Sequence, residues 1–475
     1  MTGPRPRLAM VVMNSITADS RVKKAAATAV RAGCDTRVFG IDATPWTTSL
    51  GGAVLERVAP DRRRPPLLTR SGGRWTLAPL APLAYRDHKT MLGRARDLPE
   101  SADRTPVSRA RRFVHRFRRR LLHSGPTLSF GRVDPECLET FIERRLPHLR
   151  AESIALADAV AAFGPDLIHA HDVTAMQIPR LIEERHCRTI PWVYDAHELV
   201  RGLTSARPRV DQALVDLEAW LAPAAADVLA VSEPLGETLA VEHGLRRTPR
   251  IVLNAPPRAD LAGDSIRASC GLGPDEVLLV YPGVVKPARG LETVIEMLKL
   301  SDSVHLALVT DPTAVPLEGL LELARRCGVE HRVHVRPYVE AHRVSAFLRD
   351  GTIGVHPISH YANAEIALPT KLFEFLQAGL PVVVSDVAAM SDFVHRHGVG
   401  VTFEAGNPVS LHGAVQTVVE RRPFFVAQIT PQLQSAVSWE AQEDVLVAAY
   451  ASASGMTLEL SPERATLSLS EERRP

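Results

Sequence analysis

The amino-acid sequence predicts an α/β protein of two doubly wound, Rossmann-like domains, and three observations carry that prediction. The chain has 475 residues, too many for one hydrophobic core. Short apolar runs bounded by turn residues alternate with amphipathic helical stretches over residues 8–42 and again from 151 onward, the pattern of strand–helix–strand units. Run after run ends in polar residues, and in open parallel sheets ligands bind at the carboxyl ends of the strands.

The elements follow in order. Leu8–Met13 reads as a buried strand, then comes NSITADSR and a helix from about Asp19 to Arg31 with an apolar stripe of Val22, Ala25, Ala26, Ala29 and Val30. Gly33 ends that helix and Thr36–Phe39 is the next strand. The first turn lacks G-x-G-x-x-G, which argues against a dinucleotide-binding oxidoreductase. Asp19 suits a helix N-cap and Arg21 a solvated first-turn position, and both equally suit a cleft-side loop.

Residues 43–150, rich in Pro, Arg and Gly, break the alternation and read as a partly ordered insertion. Within it, 109–122 places Phe113, Phe117 and Leu121 at helical spacing among seven arginines. That segment suits peripheral contact with an anionic membrane, or packing on its own domain or a partner. No nucleic-acid fold signature accompanies it, so no nucleic-acid partner is expected.

Regular alternation resumes near Ala151. His169, His171 and Asp172 follow one apolar run, Asp195, His197 and Glu198 a second, Ser232 a third and Asn254 a fourth. So many polar strand ends suggest one crevice lined by several loops. The histidines and carboxylates raise a metal-site reading, but no H-x-x-x-H or comparable spacing supports it, and no metal is expected. After PPRADLAGD a second domain opens with VLLVYPGVVKPARGLETVIEML, in which Gly283 and Gly290 bracket a loop carrying Lys286 and Arg289.

The stretch His360–Asp386 is the most informative. Pro369 or Thr370 opens a short helix, Gly379 lies just past its end, Pro381 prevents continuation, and Pro381–Val384 is a buried strand. Unpartnered N–H groups at the helix start favour an anion such as a diphosphate. Lys371 and Glu374 share one helix face, a cation for phosphates and a carboxylate for ribose hydroxyls. An ordinary surface Lys–Glu pair is the alternative. Ser438–Tyr450 reads as a final amphipathic helix, and the chain beyond is polar and charged.

Composition narrows the classes further. A net charge of +2 gives no global attraction to polyanions. Five scattered cysteines without C-x-x-C spacing suggest neither zinc nor a disulfide framework. The N-terminal apolar run is too short for a signal peptide, and no stretch reaches the ~20 residues of a membrane span. A cytoplasmic protein is expected, with any membrane contact peripheral at the inner face of the plasma membrane.

Taken together, these stretches resemble the retaining glycosyltransferases of family 4 (GT4), which have the GT-B fold. The resemblance covers roughly residues 8–42 and 151–451. ALPTKLFEFLQAGLPVV resembles the family's donor signature of two glutamates with seven residues between them, followed by a small-residue-Gly-x-Pro-Val-Val run. Glu374 matches the ribose-holding glutamate, with Thr370, Lys371 and Leu372 beside it, while the first glutamate falls on Ile366, one residue after Glu365. Where the family has G-R-x-x-x-x-K-G, Gly283 and Arg289 match, the arginine falls on Val284, and Lys286 is the substitute cation. DLIHAHD resembles the segment whose second histidine, here His171, lies near the sugar. The resemblance gives His171 and Glu365 the catalytic positions and places Asn14, Asp19, Arg21, Asp195, His197 and Glu198 on the acceptor side, with Asn254 leading into the interdomain linker.

The organisation implied is a first domain over 1–255 and a donor domain over 256–437 with a cleft between them. A helix at 438–453 crosses back to the first domain, anchored by Trp439, and a disordered tail spans 454–475. The function implied is metal-independent retaining transfer of a sugar from a nucleotide-sugar, UDP-sugar first, to an acceptor hydroxyl in cell-surface glycan or glycoconjugate synthesis. The donor is a co-substrate and no cofactor is expected; a glycan, a lipid carrier and a small molecule all fit as acceptor. Val284 and Ile366 keep open an inactive homologue that serves as a binding or assembly partner. A nucleotide-sugar epimerase of the same fold is a further alternative.

Overall fold

The computed structural model describes residues 5–17, 19–60, 68–71, 74–77, 137–203, 207–258 and 263–461. The first parallel sheet begins with β1 (Arg7–Val11) and β2 (Asp35–Ile41), joined by the Ser20–Arg31 helix. Asp19 caps that helix by accepting from the Val22 N–H. β3 (Trp46–Leu50) and β4 (Ala53–Val58) follow, then a separate hairpin of β5 (Leu68–Ser71) and β6 (Arg74–Leu77). β7 (Leu167–His171), β8 (Trp192–Ala196), β9 (Asp227–Ala230) and β10 (Arg250–Ile251) complete the sheet in the order β10-β9-β8-β7-β1-β2-β4-β3.

The insertion therefore starts later than residue 43. Ser49-Leu50-Gly51-Gly52-Ala53-Val54 is a hairpin with both glycines at positive φ, the two-residue turn that suits the twist of paired strands. It places β4 parallel to β2, so the first sheet runs on to Val58. Of residues 60–155, the described ones include the β5–β6 hairpin and a helix at Leu138–Arg145, grouped apart from the two large sheets. The basic segment 109–122 lies outside the described residues.

The second sheet is parallel throughout: β11 (Val277–Pro282), β12 (Val304–Val309), β13 (Val333–Arg336), β14 (Ile353–His356), β15 (Val382–Ser385) and β16 (Gly400–Phe403) in the order β13-β12-β11-β14-β15-β16. Its inner strands β11, β14 and β15 are buried on both faces, which accounts for their apolar runs. In both sheets the chain winds outward in two directions from a central strand, reversing between β1 and β7 and between β11 and β14. Such reversals leave a crevice at the strands' carboxyl ends.

The Trp439–Ser454 helix packs on the first domain. Trp439 is buried among Leu8, Met10 and Val22, and its indole N–H donates to Thr28 Oγ1 at 3.0 Å. Arg31 and Thr28 both donate to Glu443. The expected tail begins later than 454: Met456 and Leu458 pack against the same core, and the Ser461 N–H donates to the Arg31 carbonyl. Residues 462–475 lie outside the described residues. No helix among the described residues is long and apolar enough to cross a membrane.

Candidate active site

A cavity of about 170 Å³ lies between the carboxyl ends of the two sheets. The first domain contributes His197 and Glu198 from the end of β8. The second contributes Arg289 from the loop after β11, His356 from the last position of β14, and Pro369 at the start of the Thr370–Gln377 helix. Tyr361, Asn363, Ala364, Val387 and Met390 supply a largely apolar remainder.

The second-domain wall is cationic. Lys371 lies over Gly283, where an added Cβ would stand 2.5 Å from Lys371 Cε, and its ammonium sits 5.3 Å from the centre of the Tyr281 ring. Gly283 also has φ +126°, a backbone conformation that L side chains rarely adopt, and any side chain there would displace the Lys371 ammonium. Burial pulls the Lys371 ammonium down to about 8, with Arg289 acting in the same direction. Lys286 is exposed and Arg289 half-buried, and among the described residues neither pairs with a carboxylate. The Thr370 helix has no capping side chain and no acidic residue in its first turn, so its end also favours an anion. Glu374, one turn on, is half-buried and its carboxylate takes no hydrogen bond among the described residues. Burial raises its pKa against the pull of Lys371 and Lys24.

The first-domain wall is a buried polar network centred on Asp195. Arg21 donates to both its oxygens, at 2.7 and 2.8 Å, and to the Val252 carbonyl at 2.9 Å. Arg21 is 3% exposed, so of its two readings the solvated first-turn position fails; the carboxylate that holds it lies 174 residues away in the chain. Around the same carboxylate stand His171 Nδ1 at 3.2 Å, His197 Nε2 at 3.3 Å and His169 Nε2 at 3.4 Å, and His169 Nδ1 meets the Tyr450 hydroxyl at 2.8 Å. Burial works to raise the Asp195 pKa, but Arg21 and His197 outweigh it and hold the acid well below the usual carboxylate range. Burial holds His169 down at about 3 and lowers His171 as well. Burial also lifts Glu198 to about 7, helped by nearby Asp172.

Several expected residues stand elsewhere than anticipated. His169, His171 and Asp195 lie on their strands instead of following them, because the strands run further than the apolar pattern does. His171 is fully buried and is not among the cavity-lining residues, whereas His197 is. Asn14 and Asp19 are tied to each other at 3.0 Å within the loop after β1. Asn254 accepts from Lys24 at 3.3 Å. The Leu372 side chain belongs to the second-domain core and its N–H donates to Pro369, which corrects its placement as a donor contact. Glu365 accepts from the Ala388 N–H at 2.8 Å and meets His360 at 2.5 Å, which ties it to the start of the Ala388–His397 helix. The carbonyl of Ile366 accepts from Ser232 at 2.6 Å across the domains.

His169, His171 and Asp195 form a group whose ligand atoms lie within 4.8 Å of one another. Arg21 already donates to both carboxylate oxygens there, and a metal ion beside a buried guanidinium meets like charge, so the donor set fits a hydrogen-bonded network better than a metal centre. Sequence reading missed Lys24, Asn363 and His356. The last was open to the rule that singled out His171, a polar residue closing an apolar strand.

The chain matches two sequence families: Glycosyl transferases group 1 over residues 276–421 and Glycosyltransferase Family 4 over 110–255. It belongs to the family 4, group 1 glycosyltransferases. Curated relatives include a D-inositol 3-phosphate glycosyltransferase of Geodermatophilus obscurus, 27% identical over 310 residues, a match covering 61% of this chain and 66% of the relative. An uncharacterised glycosyltransferase of Methanocaldococcus jannaschii is 22% identical, with 58% of this chain and 72% of the relative covered. The GT-B fold is shared with sucrose-phosphate synthase from Thermosynechococcus elongatus, with a TM-score of 0.62, 16% identity and coverage of 94% of this chain and 98% of the other. It is shared also with Anabaena HepE in complex with UDP-glucose, with a TM-score of 0.58, 14% identity and coverage of 94% and 99%.

Proposed function

We propose that this glycosyltransferase moves a sugar from a UDP-sugar to an acceptor hydroxyl with retention at the anomeric carbon and without a resident metal. The observation that carries the reading is the set of cations at the β11/β14 reversal, Lys286, Arg289 and Lys371, left without carboxylate partners among the described residues and followed one helical turn on by a free Glu374. Departure of a nucleoside diphosphate needs its charge stabilised, and these cations with the Thr370 helix end supply that role. Glu374 accepts the ribose hydroxyls. Glu198, His197 and the buried Asp195 network form the acceptor-side wall, and enclosure between the domains limits donor hydrolysis. Fold neighbours described in complex with UDP and with UDP-glucose support the choice of base.

A role in cell-surface glycan or glycoconjugate synthesis, from the cytoplasmic side, belongs to the same proposal, with a glycan, lipid carrier or small molecule as acceptor. D-inositol 3-phosphate, for which several relatives are named, is the first acceptor to screen. A second reading, an inactive homologue that binds without turnover, is favoured by Val284, 47% exposed where the family has arginine, and by the tethering of Glu365.

Calorimetric titration of UDP, GDP and dTDP with and without EDTA, followed by product analysis with the matching sugars, tests both. Chelator-insensitive binding of UDP and transfer to an acceptor support the enzyme; binding without transfer supports the second reading; absence of all binding overturns the donor site. Glu374→Ala is expected to raise donor KM about tenfold or more with the fold intact, through loss of charged hydrogen bonds.

A further inference from the structure

His356 closes β14 and so stands at the β11/β14 reversal of the second sheet. Its imidazole is fully buried, lies nearly parallel to the Tyr281 ring (11°, centroids 6.2 Å apart) and lines the cavity beside Arg289. Neither ring nitrogen has a hydrogen-bond partner among the described residues. A buried imidazole with both nitrogens open is unfavourable, because each donor or acceptor goes unmet. His243 shares that state but has Glu218 3.3 Å from its Nε2, whereas His356 has no carboxylate beside it among the described residues and lines the cavity, where a ligand can complete the bonding.

We propose that His356 is a binding residue for the diphosphate of the nucleotide-sugar, giving an imidazole N–H to a phosphate oxygen. The proposal rests on the nucleotide-sugar reading above and adds to it a fourth group with its own electrostatic behaviour. In the empty cavity, burial and the neighbouring charges of Lys371 and Arg289 keep the ring neutral. The other titratable groups lining the same space are His197, Glu198 and Tyr361, and the Tyr281 ring stacks on the histidine. A diphosphate arriving between Arg289 and Lys371 brings more than one negative charge, which turns the local field from repelling a further cation to attracting it. His356 then takes a proton from solvent as the diphosphate binds, and returns one when the nucleotide leaves. A neutral ring avoids adding to cation repulsion in the empty site; an imidazolium strengthens the hydrogen bond in the occupied one.

The test is calorimetric titration of UDP into the full chain at pH 7, repeated in phosphate and Tris buffers, whose different ionisation enthalpies report protons taken up per UDP bound. The wild type is expected to take up a measurable fraction of a proton. His356→Phe keeps a ring against Tyr281 and is expected to take up less, with UDP binding roughly ten- to a hundredfold weaker. His356→Gln keeps an N–H donor without a titrating group, and should recover part of the affinity but none of the proton. Lys371 and Glu198 also titrate near neutrality, so the difference between wild type and variant is the decisive quantity. Should the Phe variant fail to show a folded thermal transition, the Gln variant supplies the comparison. No uptake by the wild type, or equal uptake and affinity in wild type and variants, overturns the role of His356 while leaving the UDP site intact. No UDP binding by the wild type overturns the nucleotide-sugar reading itself and this proposal with it.

Discussion

The two walls of the cavity solve opposite problems. On the first-domain side, the charged groups centred on Asp195 are answered from within the fold: Arg21 clamps the carboxylate, three histidines surround it and Tyr450 of the final helix closes the far end. On the second-domain side, Lys286 and Arg289 meet no carboxylate, the Glu374 carboxylate takes no hydrogen bond and both His356 nitrogens stand open among the described residues. A wall whose charge is met by its own residues is built for shape, even with His169 Nε2 and His171 Nε2 left without a hydrogen bond, whereas a wall of unanswered charge is built for a ligand that brings the counter-charge. Mutations in the two walls should therefore register in different measurements.

The largest effect is expected from Arg21→Met. It leaves Asp195 buried without its partner, and breaking such a pair costs about 3–5 kcal/mol. Urea denaturation reads this directly, and a loss below about 1 kcal/mol would show that the network does not hold the first domain together. Arg289→Ala, on the other wall, should leave stability within about 0.5 kcal/mol. Its kcat/KM should fall roughly ten- to a hundredfold, the equivalent of one charge-assisted hydrogen bond. Comparable losses of stability in both variants would erase the contrast.

Acid sharpens it further. His169, His171 and His356 have folded pKa values below the unfolded 6.5, so the folded chain binds fewer protons than the unfolded one once pH drops below that value. Stability therefore falls with pH from about 6.5 downward, toward about 3 for His169, by up to ~1.4 kcal/mol per unit for each ring. Asp195, depressed below 3.8, adds loss of the same sign at the acid end of that window. Denaturation midpoints at pH 7, 5.5 and 4.5 that coincide would contradict burial of neutral rings. The smallest effect is assigned to Glu365→Ala. Losing the bond to the Ala388 N–H should cost about 1 kcal/mol with kcat little changed. A fall in kcat beyond about tenfold would instead place Glu365 at the reacting sugar.

This contrast also marks what the sequence could disclose. The Thr370–Gln377 helix was legible because Pro369, Gly379 and Pro381 punctuate it within a dozen residues, and the cationic loop after β11 because its glycines bracket it. The Arg21–Asp195 pair was not, since its partners come from distant segments and either residue alone reads as ordinary surface charge. The hairpin at Gly51-Gly52 carried a clear turn signal that the arginine- and proline-rich composition downstream obscured. Lys24 was hidden by its type. A lysine near a helix start reads as solvated, yet it is 2% exposed, donates to the Ala255 carbonyl and stacks 4.7 Å from the Trp439 ring. Burial, with Arg21 adding to it, brings its ammonium down to about 7.

The chain passes between the two domains twice, once after β10 and once at the final helix, and the two passages touch: the Trp439 N–H donates to the Pro256 carbonyl at 2.8 Å. Two strands of chain stitched side by side behave as a door hinge. They permit swing about the line of the stitch and resist twist and slide. At the swinging edge, Asn363 grips the backbone of Leu199 through both ends of its amide, at 2.7 and 3.1 Å. The geometry is that of a leaf and a catch: the paired chain passages hold one edge, and a few hydrogen bonds hold the other.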